Sequence, residues 1–420
     1  MKKSTFKLLM VAIILCLPLL KSVAQIPIGS VDDLRKIGVD TDFPMNGSYE
    51  LTNDIDLSGV TDWVPIGMTS GRTFGTPAIT NFTGTFDGKG YAIKNLTYTF
   101  NGNYTGKGAA NTNSDELTGG IFGRIAGTVK NLELRNLTMT GNCVGALSAA
   151  LAVATVNQVS VVGCTITGGY EVGGITGRTN NSPQTIKDCY VDPTTKIIGV
   201  DKVGGLVGNI YQSGTINITN CYVAVTMEST SETAVYGLLG ATNGGVEKLT
   251  SVFVMAQAKA GTTLKPFAPD GKTDAASVDY YACSNYFPAE TYPELYPVEE
   301  TDPSFVKTLA ELQTMATYAD LGWDFDGVWQ IAAGEFPIFQ WQKYSGQDAI
   351  NVVNKKQLWN ANGLNNCIEV TVSEPMFLSV YDITGRVMFN AQVNNQVSIP
   401  ANKGIYILKG KGSVQKLIVK

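Results

Sequence analysis

The chain has no histidine among its 420 residues. Without histidine, the Ser-His and Cys-His nucleophile systems and the histidine-containing zinc peptidase motifs are excluded. Cys-x-x-Cys pairs are missing as well, so a zinc site would need scattered thiolates and carboxylates alone. Charged residues make up only 16 % of the chain. Their acidic balance argues against a nucleic-acid partner, because a phosphate backbone attracts basic surfaces.

Long apolar runs are absent after the first two dozen residues, which predicts no transmembrane segment. The first residues follow the pattern of an export signal: three lysines, an apolar stretch from Leu8 to Leu20, and small residues up to Ala24. We expect cleavage before Gln25 and no lipid anchor, because Leu15 rather than a small residue precedes Cys16. Removal of the signal leaves 27 basic and 36 acidic residues, a net charge near −9.

Glycine is abundant, with 45 residues, and it marks an internal repeat between about residues 118 and 258. Five glycine-containing segments recur at roughly 25 to 32 residues: 119–123, 144–147, 172–177, 203–208 and 236–240. A second strand signal follows each of them: 129–132, 156–159, 186–189, 218–221 and 246–249. Short β-branched strands separated by turn residues predict a right-handed parallel β-helix, in which equivalent side chains stack at about 4.8 Å.

The paired glycines are expected at the sharp turns of each coil, where glycine reaches positive φ without a Cβ clash. They would also let Ile175, Leu206 and Leu238 stack inward. Cys164, Cys189 and Cys221 fall at matching points of successive units, which predicts a ladder of buried thiols rather than disulfides or a metal site. No cofactor is expected. The pairing of the six later cysteines stays open: Cys143, Cys164, Cys189, Cys221, Cys283 and Cys367.

A family resemblance rests on two of these segments. Val203-Gly204-Gly205-Leu206-Val207-Gly208, followed by Ile218-Thr219-Asn220-Cys221-Tyr222-Val223, resembles the GLUG repeat of bacterial secreted and surface proteins. Asp188-Cys189-Tyr190-Val191 is similar to the tail of the same motif. The resemblance implies a parallel β-helix and an adhesin-like role. It says little about activity, because the motif occurs beside very different attached domains.

The segment before the repeats resembles the entry segment of GLUG proteins. Ser30 with Asp33 predicts a capped short helix through Ile37 that covers the open end of the solenoid. Four polar residues in this segment could bind calcium or form a carboxylate pair for glycan cleavage: Asn53, Asp54, Asp56 and Asp87. Their turn contexts favour another interpretation, in which the acids accept hydrogen bonds from backbone amides.

The segment after the repeats is rich in aromatic residues. Residues 308–318 predict a helix whose buried face comprises Leu309, Leu312, Met315 and Ala316. Trp323 and Trp329 are expected to pack against the last coil, as in the closing segment of GLUG regions. Four tyrosines are candidate ligand-binding residues, because tyrosines stack on sugar rings; packing on the solenoid flank is the alternative. They are Tyr281, Tyr286, Tyr292 and Tyr296.

Residues 348–420 alternate as strands and predict a small β-sandwich with a hairpin turn at 382–386. This part resembles the C-terminal modules that direct Gram-negative bacterial proteins through the type IX secretion route. The Tyr-Pro-Asn-Pro stretch usual in those modules is missing, and 358–362 stand in its place. The predicted order is signal (1–24), cap and first coils (25–117), GLUG-like repeats (118–260), C-terminal coils with a capping segment (261–345) and sandwich (348–420).

The outward strand positions of the repeats carry threonine, asparagine, valine and serine rather than acids. Lyases and hydrolases built on β-helices need clustered carboxylates or a calcium site beside a base. We therefore predict a non-catalytic, adhesin-like protein at the cell surface or secreted, whose partner is a glycan or a host or cell-surface protein. The insert 100–118 is its candidate recognition loop. A β-helix polysaccharide lyase or glycoside hydrolase and a purely structural envelope component are the alternatives.

Overall fold

The computed structural model describes residues 25–68, 80–100, 117–180, 183–211, 214–243, 245–268, 278–296, 305–343, 359–364, 366–373, 375–410 and 413–419. The predicted export signal and most of the insert 100–118 lie outside these residues. The chain divides into two compact units, Met1–Gln342 and Lys343–Lys420. Among the described helices, none is long and apolar enough to cross a membrane.

The first unit is a parallel β-solenoid of about five turns, as predicted. Its coils run through three sheets of thirteen, ten and five strands, whose neighbouring strands pair in parallel. The elements before the complete coils are β1 (Ile26–Ile28), α1 (Val31–Lys36), β2 (Ser48–Leu51), β3 (Ile55–Asp56), β4 (Thr85–Asp87), β5 (Ala92–Lys94) and β6 (Thr97–Thr99).

Each of the five complete coils contributes one strand to the five-strand sheet, and the coils are numbered from the N-terminus in the order of those strands. Their strands are β7 (Leu117–Gly119), β8 (Phe122–Ile125), β9 (Thr128–Arg135), β10 (Thr138–Gly145), β11 (Ser148–Ala152), β12 (Thr155–Val162), β13 (Thr165–Gly173), β14 (Thr176–Asn180), β15 (Gln184–Lys187), β16 (Tyr190–Val191), β17 (Lys196–Gly199), β18 (Val203–Gly204), β19 (Val207–Ile210), β20 (Thr215–Val223), β21 (Thr226–Ser229), β22 (Val235–Tyr236), β23 (Leu239–Thr242) and β24 (Gly245–Val254).

The remaining elements of this unit close its C-terminal end and run along its side. They are β25 (Gln257–Ala258), β26 (Leu264–Lys265), β27 (Val278–Cys283), a 3-10 turn (Pro293–Leu295), β28 (Val306–Lys307), α2 (Leu309–Leu312), α3 (Met315–Ala319), β29 (Trp329–Gln330) and β30 (Ile338–Phe339).

The predicted stacking of repeats is confirmed by the strand register. Ile186 lies opposite Val156 on one side and Ile218 on the other, and all three side chains are buried. The predicted inward residues Ile175, Leu206 and Leu238 are likewise buried in the solenoid core. One unit is displaced from its expected register. Leu249, three residues beyond the expected Val246, lies opposite Ile218, and a bulge in β24 accounts for one of those three residues.

The repeat glycines have a different role from the one expected. Of the glycines in the repeat segments, Gly119 has positive φ, while Gly174 and Gly205 do not. They are needed because successive backbones approach closely at this corner. A Cβ on Gly174 would lie 2.4 Å from the carbonyl oxygen of Gly205, and one on Gly205 would lie 2.1 Å from that of Gly237. Any side chain here would force neighbouring coils apart.

Positive φ recurs instead at equivalent non-glycine residues, one in each coil. These residues form a bend ladder in the thirteen-strand sheet, with φ between 49° and 54°: Asn131, Gln158, Asp188, Asn220 and Ser251. Asparagine and aspartate tolerate this region better than most residues. Asn220, from the Asn-Cys-Tyr segment, also donates a hydrogen bond from Nδ2 to Asp188 Oδ1 at 3.1 Å. The bend ladder therefore supplies the turn expected of glycine.

The predicted cysteine ladder is correct for two residues and wrong for the third. Cys189 and Cys221 occupy equivalent inward positions, because the next residues, Tyr190 and Tyr222, are register partners. Cys164 instead lies just before β13 and accepts a hydrogen bond from the Leu137 amide. The prediction aligned the units by their cysteines. Because the coils differ in length, this alignment assigned Cys164 to the wrong position in its coil. All six cysteines among the described residues are free thiols.

Short helices occur where the sequence predicts them, with one difference. Helix α1 begins after Ser30, whose hydroxyl accepts the Asp33 amide hydrogen bond. The predicted helix 308–318 is split into α2 and α3, and Thr308 closes a capping box at the start of α2. Because the break shifts the helical phase, Met315 and Ala316 are exposed rather than buried, and Tyr318 is buried in their place.

Residues 309–342, which we call the flank segment, lie along the side of the solenoid. Trp323 packs on Phe253 of the fifth coil at 5.7 Å between ring centroids. Trp329 packs instead on Tyr190 and Tyr222 of the third and fourth coils, so its expected position on the last coil is wrong. The outward residues Tyr190, Tyr222 and Phe253 form a ladder of rings, and the flank segment covers that ladder.

Gln342 ends the flank segment and is buried against the first coils. Its Nε2 donates to Glu133 Oε2 at 2.5 Å and to Ser160 Oγ at 2.9 Å, and its Oε1 accepts the Tyr190 hydroxyl at 2.9 Å. One side chain therefore joins three consecutive coils.

The second unit is a β-sandwich of a three-strand and a four-strand antiparallel sheet. Its strands are β31 (Trp359–Leu364), β32 (Cys367–Val372), β33 (Met376–Asp382), β34 (Val387–Val393), β35 (Gln396–Pro400), β36 (Gly404–Gly410) and β37 (Ser413–Val419). β31 and β35 were not predicted. The predicted turn is present: Asp382 Oδ1 accepts the amides of Thr384 and Arg386 at 2.9 and 3.0 Å.

The glycine corner generates a stability prediction. Gly205→Ala should lower the free energy of unfolding by about 3 kcal/mol, because the new methyl group overlaps the Gly237 carbonyl. Gly245→Ala is the matched control, since its Cβ would meet only Thr215 Cγ2 at 3.6 Å, and it should change stability by less than about 1 kcal/mol. Denaturant unfolding measures both. Equal stability of the two variants would contradict the account of the corner.

The flank segment generates a second prediction. Trp329→Ala should cost about 3–5 kcal/mol, because it leaves a cavity between two coils and the segment. Met315→Ala, at an exposed position of the same segment, should be nearly silent. Limited proteolysis within residues 309–342 together with thermal unfolding checks the pair. Unchanged protease resistance in the tryptophan variant would argue against a packed flank segment.

Candidate functional site

The four candidate tyrosines divide between two hydrophobic clusters. Tyr292 and Tyr296 pack on the solenoid core near its C-terminal end, Tyr281 joins the rings beneath the flank segment, and Tyr286 packs on both clusters. All four side chains are half-buried. Much of the surface of these side chains is therefore used for packing. Their ligand-binding role stays a prediction.

Two of the hydroxyl groups close the open end of the solenoid. Tyr292 donates to the Leu264 carbonyl, on the last strand of the ten-strand sheet, at 2.8 Å. Tyr296 donates to the Phe287 carbonyl, also at 2.8 Å. Burial, with the adjacent Asp279 carboxylate, raises the pKa of Tyr281 to about 12. Its hydroxyl is therefore protonated at neutral pH and cannot act as a base there.

A buried charge cluster, which the sequence reading missed, lies on the second to fourth coils. Glu171 is at the end of β13 and is completely buried. It faces away from the core, because strand neighbours alternate and Val172 belongs to the core. Arg178 in β14 and Lys202, just before β18, both approach it. We call Glu171, Arg178, Lys202 and Asn209 the corner cluster.

The corner cluster is held by one strong hydrogen bond and two ion pairs. Asn209 Nδ2 donates to Glu171 Oε1 at 2.7 Å. Arg178 Nη1 lies 3.5 Å from Glu171 Oε2, and Lys202 Nζ lies 3.9 Å from Oε1. Both cations also lie over aromatic rings, since the Arg178 guanidinium is 4.9 Å from the Tyr211 ring centroid and Lys202 Nζ is 3.7 Å from that of Tyr170.

Cys143 is the neighbour of Glu171 in the preceding coil. Its thiol donates to the Ala149 carbonyl at 3.3 Å. Burial and the Glu171 carboxylate raise the pKa of this thiol well above its ordinary value. Because the thiolate is the reactive form, Cys143 is a poor nucleophile at neutral pH.

The residue types of the corner cluster suit acid–base chemistry, but their packing does not present them to a polymer. Glu171 and Arg178 are buried among the described residues, and Lys202 exposes only a small part of its side chain. A buried ion pair of this kind gives little net stability, and loss of one partner is strongly destabilising. The arrangement fits a device that holds three coils in register.

A signal in the sequence could have revealed part of this cluster. Glu171 and Lys202 each stand directly before a Val-Gly-Gly segment, and they are therefore equivalent in successive repeats. Opposite charges at equivalent positions of adjacent coils predict an ion pair. Arg178 and Asn209 are likewise equivalent in successive coils, because they are register partners in β14 and β19.

The acids of the entry segment accept structural hydrogen bonds. Asp54 accepts the Ala92 amide at 3.0 Å, and the Lys94 ammonium beside it holds the pKa of Asp54 below its usual value despite partial burial. Asp56 accepts the Ser58 amide, and Asp87 accepts that of Lys89, both at 2.9 Å. Within the described ranges, histidine, cysteine and acidic residues form no group of three suited to a metal ion.

Comparisons with known proteins yield two similarities. No protein-family model matches the chain. Halomucin from Haloquadratum walsbyi is 32 % identical over 159 residues, which are 36 % of this chain. The chain spans 2 % of the length of halomucin. A solved Bacteroides ovatus chain described as a "putative immunoglobulin A1 protease" covers 77 % of this chain and 94 % of its own length, with 17 % identity and a TM-score of 0.46.

The corner cluster generates a prediction about buried charge. Glu171→Ala should lower the free energy of unfolding by about 3–5 kcal/mol, because Arg178 and Lys202 would lose their shared counter-charge. Glu228→Ala, in an exposed pair with Lys259, should cost less than about 1 kcal/mol. Denaturant titration of both variants measures the difference. A neutral effect at Glu171 would remove the argument that the cluster aligns the coils.

Proposed function

We propose that the chain is a secreted or cell-surface binding protein of adhesin-like character, in which the solenoid is a rigid scaffold for recognition loops. One observation carries the proposal: the buried charged groups of the coils bind other parts of the scaffold. Glu171 accepts from Asn209, Glu133 from Gln342, and Asp188 from Asn220. These groups are used for alignment of coils, and a catalytic cycle would need them free to move protons.

The surface location rests on sequence and on one relative. The predicted export signal with cleavage before Gln25, the resemblance of residues 203–223 to the GLUG repeat and that of the sandwich to type IX sorting modules support export. The similarity to halomucin over 36 % of this chain is compatible with the same location. N-terminal sequencing of the chain recovered from cells tests the cleavage site.

A glycan or a protein of another cell surface is the proposed ligand. Recognition on a stiff scaffold concentrates in the loops that interrupt its coils. The insert between Phe100 and Leu117 is the longest interruption near the first complete coil, and its sequence is rich in glycine and asparagine. These residue types adapt to polar ligands and suit carbohydrate or protein surfaces.

A β-helix polysaccharide lyase or hydrolase is the second candidate, and the corner cluster is the observation that favours it. An acid beside an arginine and a lysine is a residue set that can abstract and return a proton. Glu171→Gln keeps the shape of the side chain and removes its charge. Any polysaccharide-degrading activity that depends on this cluster should fall by at least about 100-fold in that variant.

Binding and turnover are separated by two assays on the same protein. We expect selective retention on a glycan array or on immobilised surface proteins, with no release of reducing ends or unsaturated sugars from polysaccharides. Release of either product in proportion to enzyme concentration would replace the binding proposal by the catalytic one. Silence in both assays would favour a structural envelope component.

The position of the recognition loop has its own test. Replacing residues 102–115 by a short flexible linker should abolish ligand retention while thermal unfolding stays unchanged. The matched control replaces residues 70–78, whose flanking residues Gly67 and Thr80 are joined by a backbone hydrogen bond. If ligand retention survives replacement of residues 102–115 and is lost on replacement of residues 70–78, the binding site belongs to the insert at 70–78 instead.

A further inference from the structure

A cleft lies beside helix α1 in the first unit. Its volume is about 630 Å³, which is within the range of sites that bind small ligands. Its walls come from the end of α1 and the turn that follows, from the segment 62–68, and from Tyr98 in β6. Val39 is 84 % exposed, and the side chain of Asp62 is 75 % exposed. The cleft is therefore open to a ligand from solvent.

The apolar floor of the cleft is fixed by the backbone of the first unit. Met45 packs against two turns, where a Cβ on Gly38 would lie 2.3 Å from Met45 Sδ and one on Gly67 would lie 2.8 Å from Met45 Cε. Ile66 is buried, and its amide donates to the Ile121 carbonyl at 3.0 Å. The floor is therefore preformed, as in most small-ligand sites.

Tyr98 supplies an aromatic wall. Its ring packs edge-on against that of Phe100, with 5.0 Å between the ring centroids and 67° between the ring planes. Phe100 is buried over Gly119, where a Cβ would lie 2.7 Å from Phe100 Cε1. Tyr98 itself is half-buried and lines the cleft. A ring that is already packed loses little conformational entropy when it contacts a ligand.

An ion pair stands at the mouth of the cleft. Arg35 Nη2 donates to Asp62 Oδ1 at 2.5 Å, and the two side chains are 38 % and 75 % exposed. They are the charged residues among the described lining of the cleft, so the mouth carries no net charge. A guanidinium has five N–H donors and an ionised carboxylate has about four acceptor positions, so this contact leaves donors and acceptors available to a ligand.

We propose that this cleft binds a neutral saccharide, with a sugar ring stacked on Tyr98 and its hydroxyl groups bonded to Asp62 and Arg35. The inference rests on the proposed function, of which it names the site and the class of ligand. Each sugar hydroxyl both donates and accepts a hydrogen bond, which matches a mouth that offers one carboxylate and one guanidinium. The C–H face of a sugar ring matches the aromatic and apolar surfaces of Tyr98 and Met45.

The balanced charge of the mouth favours a neutral saccharide over other small ligands. An anionic ligand would meet the Asp62 carboxylate and a cationic one would meet the Arg35 guanidinium, so neither gains from the pair as a whole. A purely apolar ligand would displace water from both charged groups without replacing the lost hydrogen bonds. A ligand with many hydroxyl groups replaces those hydrogen bonds and adds no charge.

The location of the cleft agrees with that of the proposed recognition loops. Met68 and Thr80 line the cleft, and they stand directly before and after residues 69–79 in the sequence. Tyr98 stands two residues before the insert 100–118. A ligand in the cleft therefore lies beside the points where the two inserts begin.

The experiment presents the purified chain to an array of neutral oligosaccharides of glucose, mannose, galactose and N-acetylglucosamine, beside oligosaccharides of uronic acids. Calorimetric titration then measures the dissociation constant of the neutral oligosaccharide that is retained best. Asp62→Ala and Tyr98→Leu should each raise this constant at least about tenfold, because each removes a contact with the ligand. The controls Glu228→Ala and Tyr91→Leu change an acid of another ion pair and a tyrosine that does not line the cleft, and should leave the constant unchanged.

Salt distinguishes a neutral ligand from a charged one. Because no net charge is paired on binding, a tenfold rise in sodium chloride concentration should change the dissociation constant by less than about twofold. Thermal unfolding of each variant shows whether the solenoid is folded. If Tyr98→Leu does not fold, Asp62→Ala decides the outcome, since the side chain of Asp62 is mostly exposed.

The outcomes separate this inference from the proposed function. Unchanged affinity for the oligosaccharide in a folded Asp62→Ala or Tyr98→Leu variant overturns the cleft as the binding site and leaves the binding function in place. Retention of acidic oligosaccharides alone, or of surface proteins and no glycan, overturns the neutral saccharide and again leaves the binding function in place. Retention of neither glycans nor surface proteins overturns both.

Discussion

Close approach of successive backbones at the glycine corner is the constraint on which the solenoid depends. Gly174, Gly205 and Gly237 stack so tightly that a Cβ on either of the first two would overlap the next carbonyl group. The thirteen-, ten- and five-strand sheets can keep one register only if the coils stay at this separation. This separation also determines which side chains stack in the core, because an inward side chain in one coil must lie above the equivalent side chain of the next coil.

Polar groups are arranged by the same repeat. The bend ladder holds one residue per coil at positive φ, and its side chains bond along the solenoid axis. The corner cluster adds a charged version of this arrangement, since Glu171 and Lys202 are equivalent residues of opposite sign. In both cases a group that would be costly to bury alone has a polar partner in a neighbouring coil.

The flank segment is not part of the repeat, but its packing depends on the register of the repeat. Tyr190, Tyr222 and Phe253 form a continuous ring surface only because the coils are in register, and Trp323, Trp329 and Gln342 bind that surface. Buried charged groups of the coils likewise bind other parts of the scaffold. Coils held in register, with inserts between them, and a separate sandwich support the proposed role in surface recognition.

The sequence by itself determined the coils. Glycine spacing and β-branched strands were enough for the parallel solenoid and the inward Ile175, Leu206 and Leu238, because these depend on a pattern repeated at a nearly constant interval. The capped helix after Ser30 followed from a local capping signal, Ser30 with Asp33. The tertiary structure decided the rest. The outlying position of Cys164 depends on unequal coil lengths, and the path of Trp329 across the third and fourth coils depends on contacts between distant residues. Such contacts carry no periodic signal, so only the folded chain shows which side chains they join.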